Sequence, residues 1–403
     1  MCLVGQEQEQ EEKQETCPWV LSVEEMGIQA TPSRGCLADE AWLASFVVPN
    51  YHSFFHHRVY IDLPHKKLTY LRTVSQGQFG YIDLARYDTV GHSYEVYVKR
   101  PIRTAEAGGA GREVDRTVYE PYLQQLVREG LARYGLPNHV PRIHEVFRLH
   151  SGVVCFAMEE VEGAVTMDVY LSQSGVGIEV VSERIQEILW HVAILVWIMN
   201  DKLGINHRDL KPSNFLLRRR AEPIRYTVTV PPSSWSQGRS KEEQEQEQEQ
   251  EQEQEEQEEQ EEQEEQEQEE TITWETTLHL SLIDFGFACA GSFDKRKAHV
   301  SLSAVYSRSD PCPKDGRDMF LFLGYLYSDY HRQMTEPLRR QFESWLAIPG
   351  SDLCGFLRKD SDVSKRWLYY LSGSENVFQL RCNPALILEG LKEVREGGKK
   401  HAE

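Results

Sequence analysis

The chain has no apolar run long enough to cross a bilayer. The longest, ILWHVAILVWIM from Ile188 to Met199, falls well short of the roughly 20 residues that a spanning helix needs, and it carries His191. It reads as a buried helix, and no membrane partner is expected. The N-terminus, MCLVGQEQEQ, has too little apolar sequence for a secretory leader. No two of the eight cysteines form a Cys-x-x-Cys pair, and no Cys/His spacing suits zinc. Cys2, Cys17, Cys36, Cys155, Cys289, Cys312, Cys354 and Cys382 are therefore expected to be free thiols in a reducing compartment, cytoplasmic or nuclear. His52, His56, His57 and His65 lie near one another without ligand spacing, which points to surface or packing roles. Lys and Arg are nowhere clustered, so nothing favours a nucleic acid partner.

Outside one segment the chain also lacks net charge. Its 403 residues sum to −20, but Glu242 to Glu270 is an unbroken run of 29 Glu and Gln residues, 18 of them Glu. Taking those 18 from −20 leaves −2 for everything else. The low pI thus describes the run and says little about other surfaces. The run has no apolar seam for a coiled coil and no lysine to relieve Glu–Glu repulsion along a helix. Its composition predicts disorder, as a spacer or a tether for basic partners. Residues 1–17 carry a similar GQEQEQEEKQE and read as a disordered tail. Residues 18–67 hold Trp19, Trp42, Phe46, Phe54 and Phe55 and read as an N-terminal extension of unknown role.

From Leu68 the pattern turns strand-like. KLTYLRTV, GYIDLARY and SYEVYVKR alternate apolar and polar residues between turns. GGAG, from Gly108 to Gly111, marks a loop. VYEPYLQQLVREGLARYG then has helical spacing through Tyr119, Leu123, Leu126, Val127 and Leu131, and Gly135 ends it. VVCFAMEEVEG reads as a strand leading into a connector. Helices are predicted over Ser182 to Lys202, Met319 to His331, Glu336 to Ala347, and Pro384 to Val394. The class is α+β, with a small β-rich part followed by a larger helical one.

Two segments carry chemistry: HRDLKPSN (His207 to Asn214) and LIDFGF (Leu282 to Phe287). A carboxylate such as Asp209, in reach of a hydroxyl, can accept its proton. A hard cation prefers oxygen donors such as Asn214 and Asp284. Lys211 places a cation two residues from Asp209. Upstream, SQGQFGYI holds Gly77 and Gly80, where backbone amides can approach phosphate oxygens closely.

Together these segments resemble the eukaryotic-type Ser/Thr protein kinases, over roughly Leu68 to Val394 without the insert. The resemblance implies a two-lobed fold, with an N-lobe over 68–158 and a C-lobe over 159–397. An insert of about 221–276, low in complexity over 242–270, interrupts the second. ATP and Mg2+ are implied as cofactors. Asp209 would orient the acceptor hydroxyl and take its proton, with Lys211 beside the moving phosphoryl group. Asn214 and Asp284 would hold magnesium. Lys99 in YVKR would bind phosphates, paired with a helix glutamate: Glu120, with Glu113 as the alternative. Proline is tolerated only in the first turn of a helix, so Pro121 puts the helix start near Val118 and Glu120 unusually early. Ser75, Gly77, Gly80 and Ile82 match the phosphate loop. Met158 would line the adenine pocket, and backbone groups of Glu159 and Val161 would read the adenine edge.

The chain also departs from the family pattern. Ser75 replaces the first loop glycine, and Leu323 stands where glycine is usual. No APE follows DFGFACAGSF. Asp318 in GRDMFLFL matches the aspartate that braces the catalytic loop. Arg381 matches the arginine that pairs with the missing APE glutamate, and Asp310 is a possible substitute partner. DMFLFL and the lost APE resemble divergent kinases of large DNA viruses. The implied activity is transfer of the γ-phosphoryl group of ATP to serine or threonine of protein substrates, Lys211 marking the Ser/Thr-directed version. Arg208 suggests control by a phosphate on the segment holding Ser301, Ser303 and Ser307. The alternative is a pseudokinase scaffold that binds partners through the fold and the acidic insert; HRDLKPSN speaks against a small-molecule phosphotransferase.

The flanks RYTVTV (Arg225 to Val230) and TITWETTLHL (Thr271 to Leu280) alternate as strands do, which predicts a hairpin ribbon with the run at its tip. Lengthening a turn about tenfold costs on the order of 2 kcal/mol in closure entropy. Replacing Glu242 to Glu270 by a short Gly/Ser linker should therefore preserve the melting transition and keep peptide phosphorylation within a few-fold of the parent. An unfolded or inactive product would show that the run belongs to the catalytic structure.

Overall fold

Alternation over residues 66–101, broken at short turns, lets each segment pair with its sequence neighbour. A computed structural model shows that pairing. It describes residues 58–77, 80–101, 119–149, 153–173, 175–230, 270–292, 297–302, 306, 310–359, 361–374 and 381–400. The N-terminal tail, most of the 18–67 extension, Gly108 to Gly111, Glu113, Ser303, Ser307 and the acidic run up to Glu269 lie outside the described residues.

The chain is mixed α+β. Strands β1 (Val59–Leu63), β2 (Lys66–Gln76), β3 (Gly80–Thr89) and β4 (His92–Pro101) form a meander. Helix α1 (Glu120–Arg133) follows, then β5 (Ile143–Arg148) and β6 (Val154–Glu159). The six strands lie antiparallel in the order β1-β2-β3-β4-β6-β5. Irregular register in three of these pairs bends the sheet into a curl. One face buries Tyr60, Leu68, Ala85, Val96, Val98 and Phe147. Alternate residues Val146, Val154, Phe156 and Met158 fill a second cluster. The sheet begins at Val59, earlier than the expected Leu68, because β1 completes this first core.

After β7 (Val165–Thr166) and α2 (Met167–Leu171), the apolar run becomes α3 (Ile178–Trp197), closed by a wider turn over Ile198–Lys202. Its residues 188–199 are all buried in the main core. Among the described residues no helix is long and apolar enough to cross a membrane. Short β8 (Ile205–Asn206) leads to β9 (Phe215–Val230), which pairs with β10 (Glu270–Leu282) and, at its start, with β7. Strands β11 (Cys289–Ser292) and β12 (Lys297–Ser301) join β8 in a third small sheet. Helices α4 (Arg317–Tyr330), α5 (Glu336–Trp345), α6 (Leu353–Lys359), α7 (Ser361–Ser374) and α8 (Pro384–Lys400) complete the fold. The first, second and last correspond to predicted helices, whereas α6 and α7 had not been read as such.

The β9–β10 ribbon runs from Phe215↔Leu282 to Val230↔Glu270, as the flanks predicted. These flanks are not peripheral. Tyr226, Val228 and Ile272 are buried in the main core, so residues placed within the insert belong to the fold itself. Gly135, after α1, has φ +87°, and a Cβ there would lie 2.4 Å from the Thr227 carbonyl oxygen. Only glycine permits the turn to sit this close to β9. Cys289 and Cys312 are joined in a disulfide, which corrects the reading of all eight as free thiols. Twenty-three residues separate them, and only the docking of β11 beside the turn before α4 brings them together. Cys155, Cys354 and Cys382 are free.

Where the ribbon meets α3 and the loop before β5, three imidazoles gather. The His139 ring centroid lies 5.0 Å from His279 and 6.3 Å from His191, with Tyr226 and Trp274 against them. Burial, with Arg218 and Arg220 nearby, pushes His279 down to about 4, and burial lowers His139 well below its ordinary value. His139 and His279 are neutral when folded but titrate near pH 6.5 when exposed. The unfolded chain then binds more protons between about pH 6.5 and about pH 4, so their contribution to stability is complete above that window and is lost as pH falls through it. The unfolding free energy from urea titration should drop between about pH 7 and about pH 5, and His279→Gln should flatten that drop by about 1–3 kcal/mol. An unchanged slope in the variant would refute this account.

Candidate active site

The segment between β8 and β9 has no regular ladder to fix it, so its shape comes from side chains. Asp318, fully buried in the first turn of α4, supplies them. Its Oδ2 accepts the His207 amide at 2.9 Å and its Oδ1 the Arg208 amide at 2.8 Å. Asn206 Nδ2 also donates to Oδ2, at 3.2 Å. Arg208 has φ 65° and Asp284 φ 67°, left-handed values uncommon for residues with a Cβ. Both flank the candidate chemistry, and such strain persists only where surrounding contacts over-determine it.

Asp209 is buried, and four hydrogen bonds reach its carboxylate. Lys211 Nζ donates to Oδ1 at 3.1 Å and to Oδ2 at 2.8 Å, and Asn214 Nδ2 donates to Oδ2 at 3.0 Å. The fourth bond comes from the Tyr369 hydroxyl, on α7, which donates to Oδ1. Asn214 also donates to the Asp209 carbonyl at 2.8 Å. The Asn214 carbonyl in turn accepts the Ile283 amide at 3.0 Å, which sets Asp284 beside Asn214.

Lys99, on β4, bridges two carboxylates. Its Nζ lies 2.5 Å from Glu120 Oε1 and 2.6 Å from Asp284 Oδ1. Glu120 opens α1, and Pro121 occupies the first turn, where its missing N–H costs nothing. The early placement expected for Glu120 is therefore what the helix adopts. Burial alone would lower Lys99, but the two carboxylates reverse this and hold the ammonium above its usual value. Burial works against the charge on Asp284, yet the Lys99 ammonium outweighs it and keeps the carboxyl at about 2. A Cβ on Gly286 would lie 3.3 Å from Asp284 Oδ1 and 3.6 Å from both Lys99 Nζ and Glu120 Oε2. Glycine thus keeps a small cradle open over the three charges.

Ser75 and Ile82 face each other across β2 and β3. Gly77 donates to the Gly80 carbonyl at 2.9 Å and closes the turn. A Cβ on Gly80 would come within 2.7 Å of the Arg100 carbonyl oxygen, so β3 and β4 meet tightly next to Lys99. Met158 is buried on β6, opposite Tyr97. The Glu159 amide is committed to the Arg142 carbonyl at 2.8 Å, and the Val161 carbonyl accepts Ala164 at 3.1 Å.

Asp310 does not partner Arg381, which stands exposed. Asp310 pairs instead with Arg317 at 2.6 Å and Arg208 at 3.4 Å, and both guanidinium groups lie 5.1 Å from the Tyr306 ring centroid. Arg317 adjoins Asp318 on the helix that braces the loop, so the carboxylate is drawn there. Arg208 Nη1 donates to Ser301 Oγ at 2.7 Å. Burial and then Arg317 lower the Arg208 guanidinium to about 10, still charged at neutral pH.

No family model matches this chain, and no curated protein matches it. Sequence reasoning missed Tyr369, Tyr306 and Arg317. A signal for α7 existed in SDVSKRWLYYLSGS, where Ser364, Leu368 and Leu371 recur at helical spacing. Asp318→Ala would strip two buried amides and one side-chain amide of their acceptor. Leaving buried donors unpaired costs about 1–3 kcal/mol each, so a loss of about 3 kcal/mol or more is expected in chemical denaturation. A loss under about 1 kcal/mol would mean the loop has another anchor.

Proposed function

We propose that this protein is a two-lobed Ser/Thr protein kinase that transfers the γ-phosphoryl group of ATP to hydroxyls of protein substrates. One observation carries the reading. Lys99, Glu120 and Asp284 form one ionic cluster, and the hydrogen bond from Ile283 to Asn214 ties it to the Asp209–Lys211–Asn214 group. Segments far apart in sequence thus present a cation for phosphate, oxygen donors for a metal, and a base for a hydroxyl side by side.

The donor set fits magnesium. Among the described residues no three His, Cys, Asp or Glu side chains form a metal cage. A pair of oxygen donors completed by phosphate and water is, however, the usual provision for this ion. Asn214 commits its side-chain nitrogen to Asp209, which leaves its side-chain oxygen Oδ1 for a cation beside the Asp284 carboxylate. Lys99 with its two carboxylates sums to −1, which also favours a cation. Magnesium there would neutralise charge on the phosphates. Lys99 would hold phosphate oxygens while Glu120 keeps its ammonium in place. Ser75, Gly77, Gly80 and Ile82 would cover the phosphates. The Glu159 carbonyl and Val161 amide would meet the adenine edge, with Met158 behind it.

In the transfer step the acceptor oxygen bonds to the γ-phosphorus as the bond to the bridging oxygen of ADP breaks. The hydroxyl proton passes to Asp209. Lys211 stabilises charge on the moving group. Because positioning and charge neutralisation supply most of the catalysis, Asp209→Asn and Asp284→Asn should each reduce transfer of labelled phosphate to casein by about a thousandfold or more. Asp209→Asn should still bind ATP. Phosphoamino-acid analysis should return phosphoserine and phosphothreonine. Near-normal transfer by Asp284→Asn would refute the proposed metal site, and predominant phosphotyrosine would refute the acceptor class.

A further inference from the structure

A carboxylate offers about four lone-pair positions, and the four bonds at Asp209 use them all. Three come from the loop's own Lys211 and Asn214. The fourth comes from Tyr369, on a helix that is remote in sequence. We propose that Tyr369 guards the acceptor subsite: its hydroxyl occupies the place on Asp209 that a substrate hydroxyl must take, and the substrate enters by displacing it. The proposal rests on the kinase reading above and adds a residue that governs acceptor entry.

The placement of Tyr369 is built into the fold. Tyr325, on α4, donates its hydroxyl to the Tyr369 oxygen at 3.2 Å, which leaves the Tyr369 proton to point at Asp209. Chains of hydrogen bonds polarise one another, so each bond strengthens the next. The Tyr369 ring lies against Phe287, directly after the Asp284–Gly286 turn, with centroids 6.4 Å apart. Helix α7 is clamped to α4 along its length. Leu368 fills the space over Gly324, where a Cβ would meet it at 2.6 Å. Lys365 pairs with Asp329 at 2.6 Å. Near the other end the Ser372 carbonyl accepts Lys314 and Arg317, both at 3.2 Å. Displacement therefore falls to the side chain, swinging about its own torsions while the helix stays. A substrate hydroxyl exchanges one phenol–carboxylate bond for one of its own. The guard thus weakens acceptor binding and leaves the phosphate end of the site untouched.

Tyr369→Phe removes the guarding hydroxyl and keeps the ring against Phe287 and Tyr325. With casein as acceptor, its KM for casein should fall about threefold to tenfold, the net worth of one ordinary hydrogen bond exchanged against water. KM for ATP should stay within about twofold. A fluorescent serine peptide taken from a phosphorylated casein site should bind Tyr369→Phe more tightly by anisotropy without ATP. Tyr325→Phe, which loosens the guard without removing it, should move the same quantities in the same direction by less. A fall in kcat with unchanged KM for casein would overturn the proposal, making Tyr369 a positioning residue that aligns Asp209. Unchanged kinetics and peptide binding in Tyr369→Phe, with transfer by the parent intact, would overturn the guard alone. No transfer by parent or variants would overturn the kinase reading and the guard with it.

Discussion

One buried carboxylate fixes the centre of this molecule. Asp318 stands in the first turn of α4, where the helix's unpaired amides favour negative charge. It is fully buried and meets three donors from the segment between β8 and β9. That segment would otherwise be a loop with polar backbone and no ladder, which proteins do not bury unaided. Holding two consecutive amides forces Arg208 into a left-handed conformation and turns Asp209 towards Lys211 and Asn214. The same helix presents Tyr325 and Gly324 to α7, so one element sets both the floor of the site and the group above it.

Two ionic clusters of opposite formal balance flank this loop, one buried and one open on its Asp284 side. Lys99 with Glu120 and Asp284 carries one negative charge in excess, while Arg208 and Arg317 with Asp310 carry one positive. Buried charge is tolerated only when well paired, and neither cluster is balanced by its own members. The Tyr306 ring face under both guanidinium groups offsets part of the positive excess.

Much of the arrangement was legible because local signals agreed with the global one. HRDLKPSN and DFG were recognisable as short strings whose residues act within a few positions of one another. The strands over 66–101 were legible because period-two alternation survives half-burial. The α1 boundary followed from Pro121 alone. Other features depend on contacts that no local pattern encodes. Cys289 and Cys312 meet only because two loops dock. Asp310 was read against Arg381, yet packing hands it to Arg317 and Arg208. Helix α7 carries Trp367 and Tyr370 on its outer side, both substantially exposed, so its apolar stripe was blurred. Tyr369 thereby escaped notice, although it touches the residue that was easiest to find.

The β9–β10 ribbon has a consequence for how this chain changes over generations. Its register is set by Tyr226, Val228, Ile272 and Trp274, all of which lie inside Val230 and Glu270. Nothing in that register depends on how many residues join the two strands. A change in the number of residues that join the two strands leaves these core pairs where they are. The ribbon acts as a buffer: the connection between its strands can vary in length while Phe215 and Leu282, at the ribbon's other end, keep their pairing.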